Sequence, residues 1–175
     1  MAKSSSKQIE EDEKKIIKLL LKDSSQSPNN IAKKLGFSRQ KAWKLIKKLE
    51  KNKTIWGYTS VINESKFNRN IYFAISKLKA PIYEKIDNII QDVQEDTESI
   101  LNIGILGSYY INGAYDWIVI FSAKNIREAK KFCVHIEKQY LDYLERIDLM
   151  ECIFPLIKYG KLNPDIEKLK EFTYT

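Results

Sequence analysis

Histidine occurs once in this chain of 175 residues, cysteine twice, and no stretch carries the run of about 18 apolar residues that a membrane span needs. Each shortage excludes something. A single histidine, His135, and two isolated cysteines, Cys133 and Cys152, cannot provide the paired ligand spacing of a zinc module. The opening MAKSSSKQIEEDEKK has no apolar core of the kind a secretory signal requires. The expectation is a cytoplasmic protein with no membrane partner, metal or cofactor. Its thiols are expected to be buried and reduced, with a disulfide or redox role as the alternative. Apolar residues themselves are not scarce: they make up 43% of the chain, enough for a core in one ordinary domain or two small ones.

Charge is distributed unevenly. Residues 1–62 carry 15 Lys/Arg against 6 Asp/Glu, a balance of +9, whereas residues 63–175 carry 15 against 17, a balance of −2. All of the cationic excess therefore lies in the first third. Such asymmetry predicts two modules, the first with an anionic partner, either nucleic acid or an anionic membrane surface.

The first third has the grammar of packed helices. Ile16, Ile17, Leu19, Leu20 and Leu21 form an apolar stripe behind the acidic EEDE, which suits the positive end of a helix. Ser27 and Pro28 suit the N-cap and first turn of a short helix that Gly36 can end. Ser38 then caps a longer helix with Ala42, Leu45, Ile46 and Leu49 on its inner side. Two helices joined by a glycine-containing turn, behind a preceding helix, predict a helix-turn-helix.

The outer side of that longer helix is strongly basic. Arg39, Gln40, Lys41, Trp43, Lys44, Lys47, Lys48 and Lys51 point away from the inner stripe, and Glu50 is the one acid between Lys33 and Lys53. A recognition helix places its N-terminal side chains on base edges in the major groove. Gln40 and Lys44 are the expected base readers, because glutamine pairs adenine bidentately and lysine reaches guanine acceptors. Lys33, Lys34, Lys48 and Lys51 are expected on phosphates, which set affinity without reading sequence, and Ser38 at the start of the helix is a further candidate DNA contact. Trp43 has two readings, a contact to a thymine methyl or sugar, or packing on a neighbouring helix. The β-rich run Ile55–Ile62 suits a wing or an exit strand.

The remainder alternates strand and helix signals. IYFAISKLKA reads as a strand, and Pro81 opens a helix with Ile82, Ile86, Ile89, Ile90 and Val93 in its stripe. ILGSYYIN and WIVIFSAK read as a hairpin around GAYD. Asn125 is positioned to cap a helix with Ile126, Ala129, Phe132, Cys133, Ile136, Tyr140 and Leu144 on one side. RIDLMECIFPLIK reads as the last strand, with Pro155 implying a bulge, an edge or its end. The order β-α-β-β-α-β is that of a ferredoxin-like sandwich, so the expected class is α+β.

Asn112, Gly113, Ala114, Tyr115 and Asp116 admit two readings. Asn-Gly is a strong hairpin signal, with Tyr115 filling the sheet edge and Asp116 capping the turn. Alternatively, backbone N–H groups around Gly113 could hold a carboxylate and Asp116 an ammonium, which together suit a zwitterionic amino acid.

IEEDEKKIIKLLL followed by SPNNIAKKLGFSRQKAWKLIKKLEKNKTIWGYTSVIN resembles the N-terminal domain of the Lrp/AsnC (feast/famine) family of transcription regulators, down to Leu49-Glu50 and Ile55-Trp56-Gly57-Tyr58. ILGSYYINGAYDW resembles that family's C-terminal hallmark, with Gly113, Tyr115 and Asp116 in the Gly-x-Tyr-Asp positions. The resemblance runs from Ile9 to Gly160. It implies a winged helix-turn-helix domain joined to a ferredoxin-like domain of the RAM/AsnC type. The expected layout is a disordered lead-in (1–8), a DNA-binding domain (9–62), a linker (63–70), a ligand-binding and oligomerisation domain (71–160) and a tail (161–175).

The resemblance implies three partners: double-stranded DNA; itself, as a homodimer or as a tetramer or octamer built from dimers; and an amino-acid or related small effector near the Gly-x-Tyr-Asp loop. Two positions depart from the family pattern. Lys53 stands where the family usually has glycine, so a left-handed turn there must use Asn52 or accept strain. Leu45 stands where the family often has arginine, so the operator does not carry over. Two rival functions are a DNA-compacting protein of weak sequence preference and, from a similar fold pair, a haem-precursor decarboxylase. The second needs His and Arg around a tetrapyrrole, whereas His135 is alone and no arginine is near the central hairpin in sequence.

Overall fold

The computed structural model describes residues 6–79 and 103–172. Two compact units divide the chain. One gathers the chain up to Val61 together with Ile157–Pro164, and the other gathers Ile62–Leu156 and the chain from Asp165 onward. The helix expected after Pro81 lies outside the described residues.

The first unit is built on three helices, α1 (Ser6–Lys22), α2 (Pro28–Leu35) and α3 (Arg39–Lys51). The Ser27 hydroxyl accepts from Asn30 N–H at 3.2 Å, and Gly36, at φ 68°, closes α2. Ser38 caps α3 in the same way, accepting from Lys41 N–H at 3.2 Å. Each cap satisfies an N–H that the first turn would otherwise leave unpaired. Ile16, Ile31, Ile46 and Leu49 form the core, with Leu45 and Phe37 packed against them.

Several expectations for this region change. Helix α1 begins at Ser6, inside the stretch read as disordered, so Glu10–Glu13 lie beyond its first turn and do not serve its dipole there. Leu21 is 72% exposed and leaves the inner stripe, because the helix turns it away from α2 and α3. The left-handed turn after α3 falls on Lys53 (φ 60°), while Asn52 keeps φ −86°, so strain is accepted. The run Ile55–Ile62 makes no ladder among the described residues; it is irregular chain, with Trp56 95% exposed. A β-rich composition needs a partner edge before it becomes a strand.

The same unit contains a short hairpin, β5 (Ile157–Lys158) and β6 (Lys161–Leu162), turned by Tyr159 (φ 48°) and Gly160 (φ 74°). Consecutive positive φ values match the right-handed twist of the flanking strands. The ammonium of Lys161 donates to the carbonyls of Leu21 and Lys22, the open end of α1. There it satisfies orphan acceptors and meets the negative end of the helix dipole.

The second unit is a four-stranded antiparallel sheet in the order β2-β3-β1-β4. Its strands are β1 (Asn70–Leu78), β2 (Gly104–Tyr110), β3 (Trp117–Ala123) and β4 (Leu144–Glu151). That order is the ferredoxin-like one. A 3-10 turn, Glu64–Phe67, occupies part of the stretch read as linker. Helix α4 (Ile126–Gln139), capped by Asn125, covers one face through Ala129, Phe132, Cys133 and Ile136. Tyr72, Ala74, Val119 and Phe121 meet it from the sheet. Burial among these side chains raises the Cys133 thiol to about 11, the direction expected of a core cysteine.

Ile126 is exposed rather than part of the inner stripe, and Leu144 opens β4 rather than continuing the helix, though it stays buried. Strand β4 stops at Glu151, so Pro155 falls past its end. A 3-10 helix, Ile166–Phe172, follows, with Phe172 against Phe154 at 5.5 Å.

The other face of the sheet is less covered. Registers align Phe73 with Ile120 and Met150, and Ile75 with Ile118, placing these apolar side chains together. Met150 is 48% exposed, and Tyr109, opposite Ile118, is 50% exposed.

Candidate nucleic-acid interface

The basic residues of α3 separate into two rows. Lys41 and Lys48, seven residues apart, share the side that faces α1. Lys41 Nζ is 2.6 Å from Asp12 Oδ2 and 4.3 Å from the Phe37 ring centroid; Lys48 Nζ is 2.6 Å from Glu13 Oε1. Asp12 is 1% exposed and also accepts from Gln8 at 3.1 Å. The hydrogen bond from Lys41 holds its carboxyl below the ordinary value of 3.8 against the opposing effect of burial. These lysines join α3 to α1. The acids read as dipole partners for the start of α1 are instead the anchors of this join.

The second row faces outward. Arg39, Gln40, Lys44 and Lys51 are exposed and have no hydrogen-bond or ion-pair partner among the described residues. Trp43 is 51% exposed, which leaves about half of its surface open on this side of the helix. Lys47 belongs to this face but pairs with Glu50 at 2.6 Å. Glu50 also accepts from Tyr58 O–H at 3.1 Å, and the Lys47 contact lowers its carboxyl. Ser38 is spent on capping. On α2, Lys33 is exposed and without a described partner, and Lys34 donates to Gln26 at 2.5 Å. The outward row thus presents Gln40 with the cations Arg39 and Lys44 at the N-terminal half of α3, the part of a recognition helix that enters the groove.

The loop at 112–116 is held by its own geometry. Ile111 N–H reaches Asp116 O at 2.8 Å, and Asp116 N–H reaches Ser76 O at 2.9 Å. The Asp116 carboxylate accepts from Leu78 N–H at 2.9 Å and pairs with Lys77 at 2.9 Å; these contacts lower its carboxyl, the backbone bond most. Tyr115 O–H donates to Asp148 at 2.9 Å, and Arg146, itself 3.1 Å from Asp148, lies 5.2 Å from the Tyr115 ring centroid. An arginine is therefore beside the central hairpin after all. Pairing of β4 with β1 brings it there from 31 residues away in sequence, a neighbour that local reading does not reveal. Asn112, Gly113 and Ala114 are exposed. No group of three or more metal-ligating side chains occurs among the described residues, nor any helix long and apolar enough to cross a membrane.

A capped pair of helices with a cationic outer row, in a chain that also carries a ferredoxin-like sheet, defines the class: a helix-turn-helix DNA-binding protein. The winged helix-turn-helix DNA-binding family model matches residues 13–55. An uncharacterised helix-turn-helix transcriptional regulator of Pyrococcus abyssi is 33% identical over 124 residues, 71% of this chain and 79% of that protein. The crystal structure of an AsnC family transcriptional regulator from Agrobacterium tumefaciens superposes with a TM-score of 0.66 at 19% identity, covering 88% of this chain and 96% of that one. A transcriptional regulator from Neisseria meningitidis, solved as a complex with L-Met, gives a TM-score of 0.64 at 11% identity, over 84% and 91% of the two chains. The chain belongs to the Lrp/AsnC family of transcriptional regulators.

Proposed function

We propose that this regulator binds specific operator sequences as a homodimer or a larger assembly of dimers, without enzymatic activity. The observation that carries this reading is the outward row of α3, where Gln40 and Lys44 have no competing protein partner among the described residues. Glutamine and lysine at adjacent turns supply donors and acceptors for adenine and guanine edges. Arg39, Lys33 and Lys51 add phosphate contacts, and Trp43 offers an apolar face to a thymine methyl or a sugar. DNA as the partner puts the working location in the cytoplasm.

Dimerisation uses the open face of the sheet. Phe73, Ile75, Ile118, Ile120 and Met150 line up there, and a second copy would bury them. Two recognition helices then address half-sites about 34 Å apart. The loop 112–116 receives an amino acid or related effector: exposed backbone near Gly113 meets the carboxylate, while the ammonium competes with Lys77 for Asp116. The structural neighbour solved with L-Met supports that ligand class.

Charge reversal tests the central assignment. Lys44→Glu should weaken binding to the footprinted operator while dimerisation is unchanged. Equal gel shifts for variant and wild type would refute α3 as the reading element.

A further inference from the structure

Cations of the sheet-based unit are mostly matched by nearby acceptors. Lys77, Arg146, Lys168 and Lys170 face Asp116, Asp148, Asp165 and Glu167. Arg69 and Lys79 donate to the backbone carbonyls of Ser122 and Leu141. Helix α4 departs from this pattern. Arg127, Lys130 and Lys138 are exposed, with no hydrogen-bond or ion-pair partner among the described residues, as is Lys124 just before the helix. Lys131 alone is paired, to Glu128 at 3.1 Å.

These residues share one face. Arg127, Lys130, Lys131, Val134 and Lys138 follow i, i+3, i+4, i+7, i+11 spacing, opposite the side that Phe132 and Ile136 bury. An open depression of about 490 Å³ lies along them, lined by Ile126, Arg127, Lys130, Lys131 and Val134. From Arg127 to Lys138 the helix rises about 16 Å, over which one DNA strand places about five phosphates. A stretch of this unit that carries net negative charge in sequence thus concentrates unmatched positive charge on a single stripe. Val134 and, at the helix start, Ile126 are the exposed apolar side chains along this depression, which is too little for an amphipathic peptide and no obstacle to a sugar-phosphate backbone.

We propose that the outer face of α4 is a second, sequence-independent contact for the phosphate backbone of DNA flanking the operator. This rests on the DNA-binding reading of α3, and it adds affinity on long DNA without adding base recognition. Cations at successive turns track a polyanion, and the gain comes from released counterions.

The test uses the full chain as R127Q/K130Q/K138Q, exposed substitutions by a good helix former. Affinity is measured against salt on two duplexes: one limited to the footprinted operator, the other extending several helical turns on both sides. On the long duplex, the slope of log K against log salt should become shallower by about 2.7 per protomer, three cations at about 0.9 each. The slope on the short duplex should not change. An unchanged slope on the long duplex overturns the proposal, and so does an equal change on both. Loss of binding to a polyglutamate peptide with DNA binding intact would assign the stripe to an acidic protein segment instead. Lys44→Glu keeps the two readings separable: it should weaken operator binding on both duplexes, and if it does not, α3 is misassigned whatever α4 does.

Discussion

Replacing Lys53 by glycine should stabilise the helix-turn-helix unit, and the expected size follows from one backbone angle. Lys53 sits at φ 60°, directly after α3. In that conformation its N–H returns to Glu50 O at 3.1 Å, and Ile55 N–H reaches Leu49 O at 3.0 Å, which closes the recognition helix. Its side chain is exposed and has no partner among the described residues, so the substitution removes no contact there. A residue with a Cβ in the left-handed region is destabilised by roughly 1–2 kcal/mol. Glycine is freer when unfolded, which offsets about 0.5–1 kcal/mol of that. The net gain is therefore about 0.5–1 kcal/mol, or roughly 2–8 °C in the melting temperature of a unit this small. Urea denaturation followed by far-UV circular dichroism reads the midpoint directly. Lys53→Ala is the control, since it keeps the Cβ and should gain nothing. If glycine brings no gain, or alanine gains as much, strain at this turn is not what separates the two.

Asp12→Asn should cost about 1–3 kcal/mol, the range for losing a charge-assisted hydrogen bond at a buried acceptor, and a thermal melt reads it. Because the folded carboxyl of Asp12 is lowered below 3.8, its contribution is present above about pH 4 and fades as pH falls through the folded value; a wild-type acid-unfolding curve steeper than that of the variant checks the sign. Lys41→Ala and Lys48→Ala should leave the salt dependence of operator binding unchanged, while Lys44→Ala should flatten its slope by about 0.9 per protomer; equal effects would erase the distinction between the two rows. Asp116→Ala should abolish any amino-acid response and spare basal DNA binding, and a persisting response would place the ligand elsewhere.

Much of the architecture was legible because it rests on short-range rules. Ser27, Ser38 and Asn125 each accept an N–H three residues onward, so cap and helix start are visible together. Ala42, Leu45, Ile46 and Leu49 recur at helical spacing and do face the core. The strands on either side of GAYD pair antiparallel as a hairpin, and β1 to β4 take up the ferredoxin-like order. The readings that failed depended on partners far along the chain. Ile55–Ile62 has strand composition without an edge to pair with among the described residues, and Asp12 and Glu13 answer lysines on α3 rather than the start of their own helix.

The sequence by itself determined the helix-turn-helix and its capping residues, which follow from spacing within a turn, and it carried the βαββαβ element order and the motif residues on which the family resemblance rests. It also placed eight outer residues on α3 and took all of their charges as open to DNA. Tertiary structure decided which of those charges are available: Asp12 lies 29 residues from Lys41, and Glu13 lies 35 from Lys48, yet each carboxylate is 2.6 Å from its lysine. It likewise set Arg146 beside Tyr115 and Lys161 on the end of α1. Helical periodicity states which way a side chain points; whether its charge is free depends on what another element brings within reach, and only packing supplies that.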